Sequence, residues 1–268
     1  MIKNGMAAVG LALVANLAHA DNYFSPNEER VRLSLGVTHV SNATELRLDQ
    51  SQTTPGTAIN AEKTFALDAT DFEPKFDAVV RVAARHRLRF DYFGLDRTGH
   101  TTVGTPIIFK DVILQRGDPL ESDLSLRALS ITYAYSFVHN SRFEAAGTFS
   151  INETDISARA RVITQTRHVI QSKDMAGPFP TFGLDATYVI SKRFYCDARA
   201  QYFKVAVDHL DGSLGIYEFD ALYRFRPNIS LAVGFNAVKM HLASRQRVDS
   251  GRFDLSTRGP LLFVRVVF

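Results

Sequence analysis

The last residues of the chain are apolar at every second position. Leu262, Val264, Val266 and Phe268 share one parity, and the terminal one is aromatic. A period of two marks one face of a β-strand. The pattern returns upstream in Phe182, Leu184, Ala186, Tyr188 and Ile190, then in Phe194, Cys196, Ala198, Ala200 and Tyr202. It continues in Tyr217, Phe219, Ala221, Tyr223 and Phe225, and in Ile229, Leu231, Val233, Phe235 and Ala237. The interleaved positions hold Asp185, Asp197, Arg199, Glu218, Asp220 and Arg224, or small residues such as Ser230 and Gly234. Each strand is therefore apolar on one side only, and that side must face a core or a membrane.

The connections between the strands alternate in length. Tight turns read at Arg85-His86-Arg87, His139-Asn140-Ser141, Ser191-Lys192 and Arg226-Pro227-Asn228. Longer polar segments lie at about 49–60, 110–120, 164–180, 208–212 and 244–252, rich in the residues that break regular structure. These connections imply ten strands, at 31–48, 61–85, 87–109, 121–138, 142–163, 181–191, 193–207, 213–226, 228–243 and 253–268. Twelve result if 61–72 pairs separately, and eight if one hairpin lies outside. Alternation slips near Ala43, near Ala128 and after Ile151, which reads as bulges or as strands leaving a membrane. The fold class expected is all-β, a closed antiparallel transmembrane barrel with both termini on the short-turn side.

Residues 1–20 read as a secretory signal peptide. Lys3 precedes an apolar stretch from Met6 to Ala15, and Ala18-His19-Ala20 forms a cleavage site. Residues 21–268 then make one barrel domain. The full chain has 31 Lys and Arg against 28 Asp and Glu, and loss of Lys3 with the signal peptide leaves the exported chain still closer to neutral, which argues against a nucleic-acid partner. Cys196 is the only cysteine, so an internal disulfide and a multi-cysteine metal site are both excluded. No segment after residue 20 has the run of apolar residues that a membrane helix needs. An exported soluble sandwich or lipid carrier is the competing architecture. Tyr133, Tyr135, Phe137, Phe143, Phe182, Phe194 and Tyr223 favour the barrel, because they fall at strand ends where an interfacial belt belongs.

On these residues the chain resembles small outer-membrane β-barrel proteins of Gram-negative bacteria. The resemblance is carried by Ala18-His19-Ala20 and by the closing TRGPLLFVRVVF, with Gly259, Leu262, Val264, Val266 and Phe268. It implies residence in the outer membrane, contact with lipid and lipopolysaccharide, and recognition of the terminal strand, with Phe268, by the barrel-assembly machinery. The chain departs from the pattern in having no Trp, so Tyr and Phe must form its girdles.

Charges on the polar parity must face inward, since a charge facing lipid costs kilocalories. The expected lumen set is Asp77, Arg81, Arg89, Asp91, Glu144, Asp185, Asp197, Arg199, Glu218, Asp220, Arg224 and Arg265. These read either as a structural ion-pair network or as the lining of a narrow passage for small solutes. Cys196 takes the lipid-facing parity.

Three groups offer chemistry at the outer rim. Asp208 and His209, with Asp68 and Asp71, make an acidic-His neighbourhood, and outer-membrane proteases of the omptin family also have ten strands and activate water with such groups. Asp211-Gly212 in the same segment also reads as a hairpin turn. His39 and Ser41, with Glu45 on the same parity, have the residue types of a hydrolase triad, and outer-membrane lipid A deacylases carry a similar His-x-Ser pair on a late strand. Arg116, Arg167, His168, Lys173, Arg245, Arg247 and Arg252 form a cationic set suited to phosphates. No HExxH pair, Cys/His cluster or Gly-rich phosphate loop is present, so no metal or cofactor is expected. The function expected is a structural, interaction or narrow-channel role, with an outer-membrane hydrolase as the alternative.

Overall fold

Strands with one apolar face can close into a ring, and here they do. The computed structural model describes residues 25–48, 58–109, 112–163, 168–207, 210–245 and 250–268. Its strands are β1 (Val31–Leu48), β2 (Ile59–Asn60), β3 (Thr70–Ala83), β4 (His86–Thr102), β5 (Ile107–Phe109), β6 (Val112–Leu114), β7 (Pro119–His139), β8 (Phe143–Ile163), β9 (His168–Val189), β10 (Phe194–Val207), β11 (Leu210–Arg226), β12 (Ile229–Arg245) and β13 (Ser250–Val267). One helical turn, α1 (Ala61–Thr64), follows β2. Strands β1, β3, β4 and β7 to β13 pair with their sequence neighbours, and β13 returns to β1 from Arg32↔Val267 to Leu48↔Gly251. This is a closed antiparallel barrel of ten strands. The short β5 and β6 form a separate ribbon.

Several strand limits differ from those read in the sequence. The second barrel strand starts at Thr70 instead of residue 61, because residues 59–64 form β2 and α1. The third ends at Thr102 instead of 109. The sixth begins at His168, so most of the segment read as loop 164–180 is strand, paired with β8 as far as Ile163↔His168. Asp211-Gly212 is not the turn. Both residues lie in β11, opposite Ala206 and Val205. Register is continuous through Ala43, Ala128 and Ile151, while shifts occur at Arg81/Ala83, Ser136/Val138 and Arg224/Arg226, beside the short turns.

The ring is complete over only half its height. Pairing of β3 with β4 stops at Phe76↔Tyr92, although β3 runs on to Thr70 and β4 to Thr102. Pairing of β9 with β10 stops at Phe182↔Tyr202, although β9 starts at His168 and β10 continues to Val207. The outer half is thus two walls, one of β4, β7, β8 and β9, the other of β10 to β13, β1 and β3. Unpaired strand edges are intolerable in hydrocarbon. The seams therefore begin where the hydrocarbon core gives way to the interfacial layer, and Phe76, Tyr92, Phe182 and Tyr202 at their base are exposed aromatics suited to that boundary. Phe182 belongs to this upper belt and not, as its sequence position suggested, to the one beside the short turns. There Phe194 meets Tyr223 at 4.9 Å and Phe143 meets Tyr188 at 6.5 Å. The jointly paired part of β10, Tyr195 to Tyr202, has a height of about 20 Å at ordinary strand rise and tilt.

Between the two outer walls lies an apolar core. Leu95, Leu120, Leu124 and Ile156 come from one wall, and Leu214, Leu242, Phe253 and Leu255 from the other. Residues 58–69, which lead into β3, fold into the space between them, adding Ile59, Ala61, Phe65 and Leu67. Gly99 permits this, since a Cβ there would stand 2.2 Å from the Phe65 carbonyl oxygen. Arg97, wholly buried, holds the insert by donating to Asp68 O at 2.7 Å, Thr44 Oγ1 at 2.8 Å and Glu62 Oε1 at 2.8 Å. Amides of β1 beyond its last partner on β3 bond to the same insert, Asn42 to Ala69 O and Thr44 to Glu62 Oε2. At the other mouth, Asn27 is buried and donates to Asn140 O at 2.7 Å, and Ser25 Oγ donates to Ser141 O at 2.9 Å.

Arg97→Ala leaves the Glu62 carboxylate and two acceptors without their donor. It is expected to lower stability by about 3–5 kcal/mol in urea unfolding from lipid vesicles. The insert should also become cleavable by added protease, whereas cleavage resistance equal to the parent would show that apolar contacts alone hold it.

Candidate functional site

Two places concentrate polar side chains: the lumen of the closed half, and the outward face of the wall made by β1, β11, β12 and β13. In the lumen, all twelve charges expected on the inward parity are buried or half-buried. Arg81 forks onto Glu144 with bonds of 3.0 and 2.8 Å. Arg87 lies 3.7 Å from the same carboxylate, and Ser136 Oγ donates to it. Arg89 pairs with Asp185 at 3.0 Å, and Arg199 with Asp91 at 3.0 Å and Glu218 at 3.4 Å. Asp197 receives Arg265 and, at 2.8 Å, Thr187 Oγ1. Arg224 pairs with Glu29, and Asp77 and Asp220 complete the acidic side.

Four charged residues of this network escaped the sequence reading: Glu29, Arg32, Lys75 and Arg87. Lys75, which binds Glu218, and Arg87 share the parity of Asp77 and Arg89, so extending the alternation by one step would have found them. Glu29 precedes β1 and carries no strand signal. With them included, the acidic members (Glu29, Asp77, Asp91, Glu144, Asp185, Asp197, Glu218, Asp220) equal the basic ones (Arg32, Lys75, Arg81, Arg87, Arg89, Arg199, Arg224, Arg265) in number. The cavity left among them measures about 20 Å³, room for about one water.

The rim candidates fall apart or fall elsewhere. His39, Ser41 and Glu45 all face outward on β1, but Ser41 and Glu45 are about 13 Å apart along the strand, too far to act together. The His39 ring stacks on Phe72 at 4.7 Å. Asp208 and His209 lie outside the described residues, as do Arg167, Arg247 and residues 1–20. Asp68 is tied through its carbonyl to Arg97, and Asp71 accepts from the Phe72 amide at 2.7 Å. His168, Lys173 and Arg245 belong to strands and not to loops, because β9 and β12 run well beyond the paired ring. Arg116 is exposed, and Cys196 is half-buried opposite Tyr188 and Ala221. Phe268 accepts the Val31 amide at 3.2 Å and donates to Val31 O at 2.9 Å, sealing the ring where it closes.

A polar row that the sequence reading missed crosses the second wall. Ser213 on β11 stands opposite His241 on β12, His241 opposite Asp254 on β13, and Asp254 opposite Glu45 on β1. All four face outward. His241 Nδ1 bonds to Asp254 Oδ1, while Arg252 Nε donates to Oδ2. An open groove of about 530 Å³ runs along this row.

A closed ten-strand barrel with aromatic belts and a charged interior is the architecture of the outer-membrane proteins of Gram-negative bacteria. The outer membrane protease OmpT from Escherichia coli has a similar fold, with a TM-score of 0.56 at 10% identity over 89% of this chain and 97% of that one. Looser likenesses are the Pseudomonas putida toluene transporter TodX (TM-score 0.38, 8% identity, 89% and 90% covered) and the attachment invasion locus protein Ail of Yersinia pestis (TM-score 0.37, 8% identity, 88% and 99% covered). No known family and no curated protein matches the sequence. The likenesses identify the fold alone.

Glu144→Gln keeps the side-chain shape but leaves Arg81 and Arg87 without a counter-charge. It is expected to destabilise by about 3–5 kcal/mol. The readout is a lower temperature for loss of the compact, fast-migrating band in unboiled gel samples. Arg127→Ala, which removes an exposed pair with Asp96, is expected to cost under about 1 kcal/mol by the same measurement.

Proposed function

We propose that this protein resides in the outer membrane as a sealed barrel, and that it works through its outward and extracellular surfaces in a structural or interaction role. The observation that carries this is the filled interior. Residues 25–30 cover one mouth, paired charges fill the middle, and the insert with its apolar partners fills the outer half. A void of about 20 Å³ among charges is no route for a solute, which weighs against the narrow channel. The wall that faces the membrane is suited to lipopolysaccharide, since Lys204, Lys239 and Arg258 point outward just beyond the aromatic belt, where phosphates lie. The strand ending in Phe268 is the proposed contact for the assembly machinery. A membrane-facing hydrolase is the second reading, favoured by the bond between His241 and Asp254.

In planar bilayers the refolded protein is expected to give no resolved conductance steps. Steady unitary steps from protein in its compact, heat-modifiable form would overturn the sealed reading.

A further inference from the structure

We infer that Ser213, His241 and Asp254 form an esterase centre on the outer wall of the barrel, directed at acyl esters of lipids in the surrounding leaflet. This rests on the reading of the barrel as embedded in a membrane, and adds an activity to its outward face.

The order across the sheet is what a proton relay needs. His241 is flanked on one side by a hydroxyl and on the other by a carboxylate. Its Nδ1 is engaged by Asp254 Oδ1, which leaves Nε2 for the strand on the opposite side. Ser213 is the directly opposed residue there, and directly opposed residues have Cβ atoms about 4.5–5.5 Å apart. Arg252 occupies the second oxygen of Asp254, so the carboxylate is fixed from both sides. Asp254 is then a positioning residue, and Ser213 and His241 are the catalytic pair.

The place selects the substrate class. The row lies on the outward parity of β11, β12, β13 and β1, and the open groove along it is bordered by Asn60 of the insert beside Glu45. Tyr217, in the upper aromatic belt, lies two positions below Gly215 on β11, and its hydroxyl stands within 3.2 Å of where a Gly215 Cβ would be. Ser213 is the next residue outward on that face. The centre therefore sits just beyond the polar tips of the belt, at the depth where ester linkages join acyl chains to a head group. Lys239, on the same face as His241, supplies a cation for an anionic head group or for a developing oxyanion.

The step is acyl transfer to the serine. As Ser213 Oγ bonds to the ester carbonyl carbon, its proton passes to His241 Nε2. The carbonyl oxygen takes up the negative charge. The bond from carbon to the alcohol oxygen then breaks, and that oxygen takes the proton from Nε2. Water repeats the sequence on the acyl-serine and releases the fatty acid, with no redox change.

The test uses the full-length protein refolded in detergent, with 4-nitrophenyl palmitate as substrate and a fluorophosphonate as a serine-directed probe. Hydrolysis by the compact form, and probe attached at Ser213 by peptide mass mapping, are expected. Ser213→Ala and His241→Ala should each lower the rate by at least about 1,000-fold. Ser125→Ala, a serine bonded to Asp96 on the opposite wall, should leave it unchanged. Asp254→Asn should reduce turnover by up to about 10,000-fold and reshape the pH profile with folding intact. The charges facing the imidazole in that profile are Lys239, Asp254, Arg252, Glu45 and Asp211. Absence of hydrolysis and labelling in the folded parent, labelling at another serine, or full activity in Ser213→Ala would each overturn the assignment. Labelling is read on the parent, so a misfolded variant does not blunt the test. Conductance reports on the lumen and labelling on the wall, so the two readings fail separately.

Discussion

An amide in hydrocarbon has no water to bond to, and each one left unpaired costs several kcal/mol. Ten strands that return from β13 to β1 meet that demand by leaving no edge at membrane depth. The two seams show how local the demand is. Once β3 and β4 pass Phe76 and Tyr92, and β9 and β10 pass Phe182 and Tyr202, water is available and the ladders separate. The outer half is then free to become two facing sheets, and it buries apolar side chains between them as a soluble sandwich does. The insert after β1 supplies both packing for that core and acceptors and donors for the β1 backbone where β3 no longer reaches.

Closure creates the second constraint. Side chains pointing into a narrow ring lose most of their water, and a charge among them must find its opposite. The equal acidic and basic sets in the lumen, with Glu144 and Glu218 each serving more than one cation, satisfy it. The near-neutral composition of the chain thus has a spatial meaning, since much of its charge cancels inside the wall. The same packing makes the interior a structural core. The polar row from Ser213 to Glu45 lies outside that core, on the outward face of β11, β12, β13 and β1.

Parity was legible because it depends on one strand alone. Alternation placed Asp77, Arg199 and Arg265 inward and Phe194 and Leu262 outward without knowledge of any neighbour. It failed where both faces of a strand are apolar or both are polar. Leu124 and Leu126 on β7 and Ile156 on β8 face the outer core, so alternation blurs there, and of the two readings the slips near Ala128 and Ile151 allowed, the continuous register rules out bulges and leaves strands that run on past the closed ring. The real register shifts sit beside tight turns, where no apolar signal marks them. The stretch 61–72 read as strand because Phe65, Leu67 and the residues around them are spaced for burial, and only the gap between the walls makes that burial an insert.

The sequence by itself determined the all-β barrel class, the facing of side chains in the closed half and the need for an ion-paired lumen, because these follow from period two and from the cost of charge in lipid, whereas ring closure fixed ten strands among the counts of eight, ten and twelve it allowed. Only the tertiary structure decided which outward residues stand side by side. His39, Ser41 and Glu45 share a strand and are held apart by its rise, whereas Ser213, His241 and Asp254 lie on three strands and are brought level by register. Register is set jointly by turns, shifts and ring closure across the whole barrel. No local pattern in the chain records it.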